Sequence, residues 1–280
     1  MIVRKFTDHK EQLQVFVERT VNLIMQRLSE QAGHSLRCVY PNEIVEEDLV
    51  DLLEPFAERY SIESEKVARE FVKNYLPGIS AACQIDAERY PTEDPALENL
   101  DEVFYASNGF WATVAYRIAN ALLKLNVPII PRAISAVAHS RTGVDIHPGA
   151  TIEPGLFIDH GTGIAIGCTA VIHANVNLYN GVVLGTRSKP RKKIEEGSDS
   201  GAVTISKRHP TIESNVSLYT NAFVGGDVVI GSGTTVGAYA FVCHDVPADS
   251  VVHGKSGDEK HTVVKSKAPV VLPAPIEYMI

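Results

Sequence analysis

The sequence lacks a long hydrophobic run: nothing in its 280 residues approaches the roughly 20 unbroken apolar residues that a bilayer-spanning helix needs. The opening stretch MIVRKFTDHKEQ has no apolar h-region either, so the expected compartment is the cytoplasm, with no membrane partner. Basic charge is in short supply. Lys and Arg number 26 against 34 Asp and Glu, a net charge of −8, which argues against a protein that neutralises nucleic-acid phosphates. Cysteine is scarce too: Cys38, Cys83, Cys168 and Cys243 are scattered, without a C-x-x-C pair for a metal or the dense spacing that staples small secreted domains. They read as reduced thiols.

What is present suffices for a substantial core, with 45% hydrophobic residues and room for one large or two modest domains. From Thr7 to about Ala32, Leu13, Phe16, Val17, Val21, Ile24 and Leu28 recur at spacings of three and four, predicting a helix capped by Asp8 and Glu11. A second periodic stretch runs from Glu43 to Tyr60, kinked or divided at Pro55, and a third from Glu63 to Leu76, stopped by Pro77-Gly78. Helix is expected again over Ile79–Glu88, before Pro91 and Pro95 force a turn, then over Gly109–Leu125 and in the Ala-rich segment Ala133–His139.

The pattern changes near Gly143. Steps of six from Ile146 give Ile152, Ile158, Ile164, Ala170, Val176 and Val182; resuming at Ile212 they give Leu218, Val224, Ile230, Val236 and Val242. All but Ala170 are Ile, Val or Leu, a period that neither an alternating strand nor a 3.6-residue helix produces over such a span. A parallel β-helix does produce it: each hexapeptide supplies one short strand and one corner, three close a triangular coil, and the branched aliphatics fill the prism. Between 182 and 212, a multiple of six, the segment 187–207 departs from the ruler and reads as an extruded loop that rejoins in register.

The stretch from Val144 to Gly167, VDIHPGATIEPGLFIDHGTGIAIG, closely resembles the signature of the hexapeptide-repeat serine acetyltransferases. Asp94-Pro95-Ala96, Ala115-Tyr116-Arg117-Ile118 and Arg208-His209-Pro210 match in the same order. The resemblance implies an α+β fold with a helical domain over 1–142, a left-handed parallel β-helix over 143–254 with its extruded loop, and a tail over 255–280. It also implies transfer of an acetyl group from acetyl-CoA to the hydroxyl of L-serine, without a metal.

By the same resemblance His160 is the general base and Asp145 the carboxylate that orients it. A transfer from thioester to alcohol needs a group that takes the hydroxyl proton, and imidazole suits that task. Asp94 and Asp159 match carboxylates facing the amino acid's ammonium group, and Arg208 and His209 match residues on its carboxylate. Gly185, Thr186, Lys189 and Arg191 are assigned to coenzyme A, with Arg187, Lys192 and Lys193 nearby as cations for its phosphates. The resemblance further implies a homotrimer or dimer of trimers with sites between subunits, cysteine as a feedback inhibitor, and Ile280 as a docking residue for O-acetylserine sulfhydrylase.

Three departures stand out: Leu184-Gly185-Thr186-Arg187 where the family shows Gly-Gly-Thr-Gly, Gly254-Lys255-Ser256-Gly257 where Gly-Val-Pro-Ala is common, and Trp111 where His is frequent. Other functions stay open at this point. They are acetylation of another hydroxyl or amine, such as a sugar or homoserine, and a non-catalytic scaffold for the sulfhydrylase. A zinc site would need three converging histidines, whereas the spacing of His147, His160 and His173 makes them diverge around the coil.

Overall fold

The computed structural model describes residues 2–31, 41–187, 206–254 and 263–265. Lys189, Arg191, Lys192, Lys193, Ile280 and Cys38 therefore lie outside the described residues.

Seven α-helices come first among the described residues: α1 (Ile2–Gln31), α2 (Asn42–Tyr60), α3 (Ser64–Glu70), α4 (Leu76–Glu93), α5 (Asp101–Ala106), α6 (Asn108–Lys124) and α7 (Ile130–Thr142). The six apolar residues that mark α1 in the sequence are all buried. The helix begins at Ile2, so Asp8 and Glu11 lie within it and do not cap it. No glycine or proline precedes them to break the earlier turn.

Proline misleads three times in this half. Pro55 lies inside an undivided α2, where the lost hydrogen bond and the ring clash, worth about 3 kcal/mol, are offset by burying Val45, Leu49, Leu52 and Leu53. Pro77 does not stop a helix. It lies at the start of α4, which runs on without a break from a π-helical turn over Phe71–Tyr75, where the hydrogen-bond ladder widens to i→i−5 just ahead of the proline. Pro91 is likewise inside α4, and the chain leaves the helix only at Asp94.

Strands of two or three residues then wind into three parallel sheets. The first contains β1 (Asp145–Ile146), β4 (Ala165–Ile166), β7 (Val183–Gly185), β10 (Phe223–Gly225) and β13 (Phe241–Val242). The second contains β2 (Thr151–Ile152), β5 (Val171–Ile172), β8 (Thr211–Ile212) and β11 (Val229–Ile230). The third contains β3 (Phe157–Ile158), β6 (Asn177–Leu178), β9 (Ser217–Leu218), β12 (Thr235–Val236) and β14 (Ser250–Val252), closed by antiparallel β15 (Val263–Lys265). The prism interior is a column of Ile, Val, Leu and Ala.

The register corrects the six-residue ruler. Asp145 pairs with Ala165 but Ala165 with Val183, so the first coil is two residues longer than the second. The extra residues fall between β3 and β4, in the corner Asp159–Gly163. Past this corner the strand residues facing the interior are Ile166, Ile172, Leu178 and Leu184, while Ile164, Ala170, Val176 and Val182 form a second buried row at the corners. The excursion after β7 is consequently not a multiple of six: Val183 pairs with Phe223, which makes that coil twenty-two residues longer than its neighbour. Two offsets cancel in the sequence and hide each other.

The end of the prism explains how the helices attach. The strands of the first coil pair in parallel with the second, as in the N–H of Asp145 to the carbonyl of Ile164 and that of Thr151 to Ala170, which leaves the outer edge of the first coil without a coil to bond. The helical layer supplies donors. Ser135 bonds the carbonyl of Ile146 (2.9 Å), Asn120 that of Pro148 (2.8 Å), Tyr116 that of Ala150 (2.7 Å) and Arg117 that of Ile152 (3.3 Å). Arg117 is itself held by a fully buried Asp86 through two hydrogen bonds of 2.7 and 2.8 Å, and Asp86 also accepts the N–H groups of Gly155 and Leu156. Burial works most strongly against the Arg117 charge, but the Asp86 carboxylate, together with Cys83 and Tyr116, leaves its pKa raised.

Candidate active site

The longer corner of the first coil carries the most chemistry. It places His160 in the left-handed region, at φ 56°, with its side chain 78% exposed and Nε2 3.8 Å from Oδ2 of Asp159. Beside it opens a cavity of about 260 Å³ lined by Tyr90, Asp94, Ser107, Asn108, Asp159 and His160, among others. At its wall α6 meets the prism without a side chain between them: a Cβ on Gly109 would lie 2.3 Å from the carbonyl oxygen of Ile158.

Asp94 and Asp159 face each other across this space. Burial pushes the Asp159 carboxyl up; the His160 imidazole opposes that shift and the Asp94 charge adds to it. A group that brings positive charge between them relieves the repulsion. Asp94 also closes a turn, its Oδ1 accepting the N–H of Ala96 at 2.9 Å. The tight turn and the lining of the cavity are two tasks of one residue.

Arg208 and His209 are elsewhere. The corner between β4 and β5 brings them together with Cys168, Thr169 and, from the coil before, His147. Strand β4 lies between this corner and His160, so the two clusters stand at opposite ends of the strands of the first sheet. The outward face of His209 rests on Gly167, where a Cβ would lie 1.9 Å from its Nε2. Burial, then the Arg208 and Lys207 charges, lowers its pKa to about 4. Burial and Arg132 lower His147 to about 4 as well, and its Nδ1 accepts the N–H of Gly149 at 2.9 Å.

Asp145 begins β1, half-buried, in register with Ala165. Among the described residues no hydrogen bond or ion pair joins it to His160, whose imidazole turns to the adjacent Asp159. Gly185 ends β7 opposite Gly225, and Thr186 follows it. Arg187 is exposed, and one of its guanidinium nitrogens donates to the carbonyl of Cys243 at 3.0 Å. His147, His160 and His173 fall on three different corners, as their spacing predicts, and His173 bonds Glu153 instead.

Tyr90, Ser107, Asn108 and Gly109 were not singled out from sequence. Tyr90 and Asp94 stand four apart at a helix end, which is the one signal that would have grouped them.

No family model matches the chain. A Helicobacter pylori serine acetyltransferase (strain 26695) is 38% identical over 180 residues, covering 64% of this chain and 95% of that protein. The chain belongs to the serine acetyltransferase family. A plasmid-encoded serine acetyltransferase of Synechococcus elongatus is 38% identical over 178 residues, or 63% of this chain; the match spans only 54% of that relative's length. Among solved structures, Entamoeba histolytica serine acetyltransferase isoform 3 in complex with cysteine superposes with a TM-score of 0.67 at 25% identity, covering 91% of this chain and 95% of that one. The prism is accordingly a left-handed parallel β-helix behind a helical region, as the resemblance implies. Among the described residues no helix is long and apolar enough to cross a membrane, and no group of His, Cys, Asp or Glu is arranged to hold a metal ion.

Proposed function

We propose that this serine acetyltransferase family member transfers the acetyl group of acetyl-CoA directly to the hydroxyl of L-serine, giving O-acetylserine and coenzyme A. The observation that carries the reading is the meeting of Asp94, Asp159 and His160 around one cavity. Two carboxylates that repel each other suit an ammonium group, and an exposed imidazole beside them suits a neighbouring hydroxyl.

His160 takes the serine hydroxyl proton as the oxygen attacks the thioester carbonyl. The C–S bond then breaks, and the departing thiolate recovers that proton. Asp145 steadies the imidazolium once the His160 side chain swings from Asp159 toward the strand, a rotation its exposure permits. Arg208 and His209 hold the serine carboxylate. Because one chain separates them from His160, the complete site draws its second half from an adjoining subunit, in a homotrimer or a dimer of trimers. Gly185 and Thr186 line the coenzyme path, and Lys189 and Arg191 are the cations assigned to coenzyme A.

Cysteine, bound in the Entamoeba relative, is expected to compete for the serine cavity. Cytoplasmic location and docking of Ile280 to O-acetylserine sulfhydrylase belong to the same reading. A thiol-release assay with acetyl-CoA across L-serine, L-homoserine and simple sugars tests it. Turnover confined to L-serine is expected; faster turnover of a sugar would overturn the acceptor assignment.

A further inference from the structure

The corner between β4 and β5 contains a hydrogen-bond arrangement whose consequence is electronic. Thr169 Oγ1 accepts the N–H of Arg208 at 3.0 Å and the N–H of His209 at 3.1 Å, and lies 2.8 Å from Nδ1 of His209. The backbone N–H of Thr169 also donates to that Nδ1, at 3.2 Å. A hydroxyl has two acceptor sites and one hydrogen. With both acceptor sites taken by N–H groups, its hydrogen is left for Nδ1, which thus receives two donors. A ring nitrogen that accepts cannot carry a proton, so the imidazole proton resides on Nε2.

We propose that Thr169 is a positioning residue that locks His209 as a neutral imidazole with its proton on Nε2, giving this corner one fixed N–H donor beside the Arg208 guanidinium. The surroundings support the neutral state. Arg208 and Lys207 flank the ring along the returning chain, His147 faces it from the previous coil, and Arg132 stands behind His147. No carboxylate appears among the causes that shift His209. Lys207 is held in place with its ammonium on the carbonyls of Thr169 (2.8 Å), His209 (2.6 Å) and Pro210 (3.1 Å), so its charge is a fixed feature of the site.

The significance for catalysis rests on the reading of Arg208 and His209 as carboxylate ligands. A donor that does not depend on pH across the neutral range holds the amino acid equally well in either state of His160. The Thr169 hydroxyl would then matter to serine and not to acetyl-CoA.

The test uses the full-length protein with ring-¹⁵N histidine, His209→Gln to assign the resonance, and two variants. Thr169→Val keeps the shape and backbone N–H but removes the hydroxyl; Thr169→Ser restores it. The wild type and Thr169→Ser should show a protonated Nε2 and no titration of His209 down to about pH 5, whereas Thr169→Val, which loses the 2.8 Å hydroxyl donor and keeps only the longer 3.2 Å backbone N–H on Nδ1, should mix tautomers and titrate at higher pH. The serine KM of Thr169→Val should rise about tenfold, with the acetyl-CoA KM unchanged and the serine return rescued in Thr169→Ser. An unaltered His209 tautomer and titration in folded Thr169→Val would overturn the proposal. A changed tautomer with unchanged serine kinetics would uphold the lock and instead overturn the carboxylate role of His209.

Discussion

Asn177, on the second coil of the prism, donates its amide N–H to Oε2 of Glu93 at 2.6 Å, fastening the last turn of α4 to the third sheet. Arg89 completes the ring. It pairs with Glu93, donates to Oδ1 of Asn177 at 2.7 Å and reaches the carbonyl of Gly155 at 3.1 Å. The residue after Glu93 is Asp94, so the ring fixes where that carboxylate stands relative to Asp159.

Asn177→Ala should therefore release Asp94 and raise the serine KM several-fold with little change in the acetyl-CoA KM. Steady-state kinetics in both substrates decide it. Equal losses toward both would mean that the ring serves overall stability only.

His160→Ala should lower kcat by roughly 10²–10⁴-fold, the usual worth of a positioned acid–base group, with the melting temperature little changed. Asp145→Asn should lower it less. A His160→Ala protein with near-normal turnover would remove the imidazole from the mechanism.

Asp86→Ala leaves the Arg117 guanidinium buried and unpaired, and removes the acceptor of the Gly155 and Leu156 N–H groups. Urea unfolding should report a loss of about 3–5 kcal/mol. Replacing both partners by apolar residues, Asp86→Leu with Arg117→Met, should cost less than Asp86→Ala alone. If the double variant proves the weaker, the ion pair contributes more than its mutual cancellation of charge.

Acid should destabilise the protein through its imidazoles. His147 and His209 bind protons only near pH 4 when folded but near their ordinary value of 6.5 when unfolded. Between these limits the unfolded chain holds more protons, so stability falls as pH drops from about 6.5 to about 4 and these groups add no further loss below that. The melting temperature of His209→Gln should fall less steeply over this interval; parallel curves would show that His209 takes up its proton before unfolding.

Gly109→Ala should distort the cavity beside His160, because its Cβ would press on the backbone carbonyl of Ile158. Activity should drop and α6 should shift away from β3. Full activity would show that the helix can move without harm.

The β-helix was legible because a coil interior repeats the same demand at fixed intervals, and Ile, Val and Leu answer it at Ile146, Ile152 and Ile158. The longer corner was not, since Ile164 and Ala170 are buried too and keep the ruler looking unbroken. Asp94, Asp159 and His160 could be grouped from motif alone. Tyr90 and Gly109 could not, because their part in the cavity depends on how α4 and α6 lie on β3. The helix stops suggested by Pro77 and Pro91 failed for a related reason: local preference yields when the flanking residues have a core to join. Thr169 carries no motif that announces it, and its role emerges only when the returning segment closes over the hydroxyl.

The donors on α6 and α7 have one more effect. A bare strand edge at the front of the solenoid would be a template for any passing strand, and two such particles could stack end to end into a fibre. With Ser135, Tyr116, Arg117 and Asn120 already bonded there, growth in that direction is terminated, and the same side chains that join the two halves also keep the particle finite.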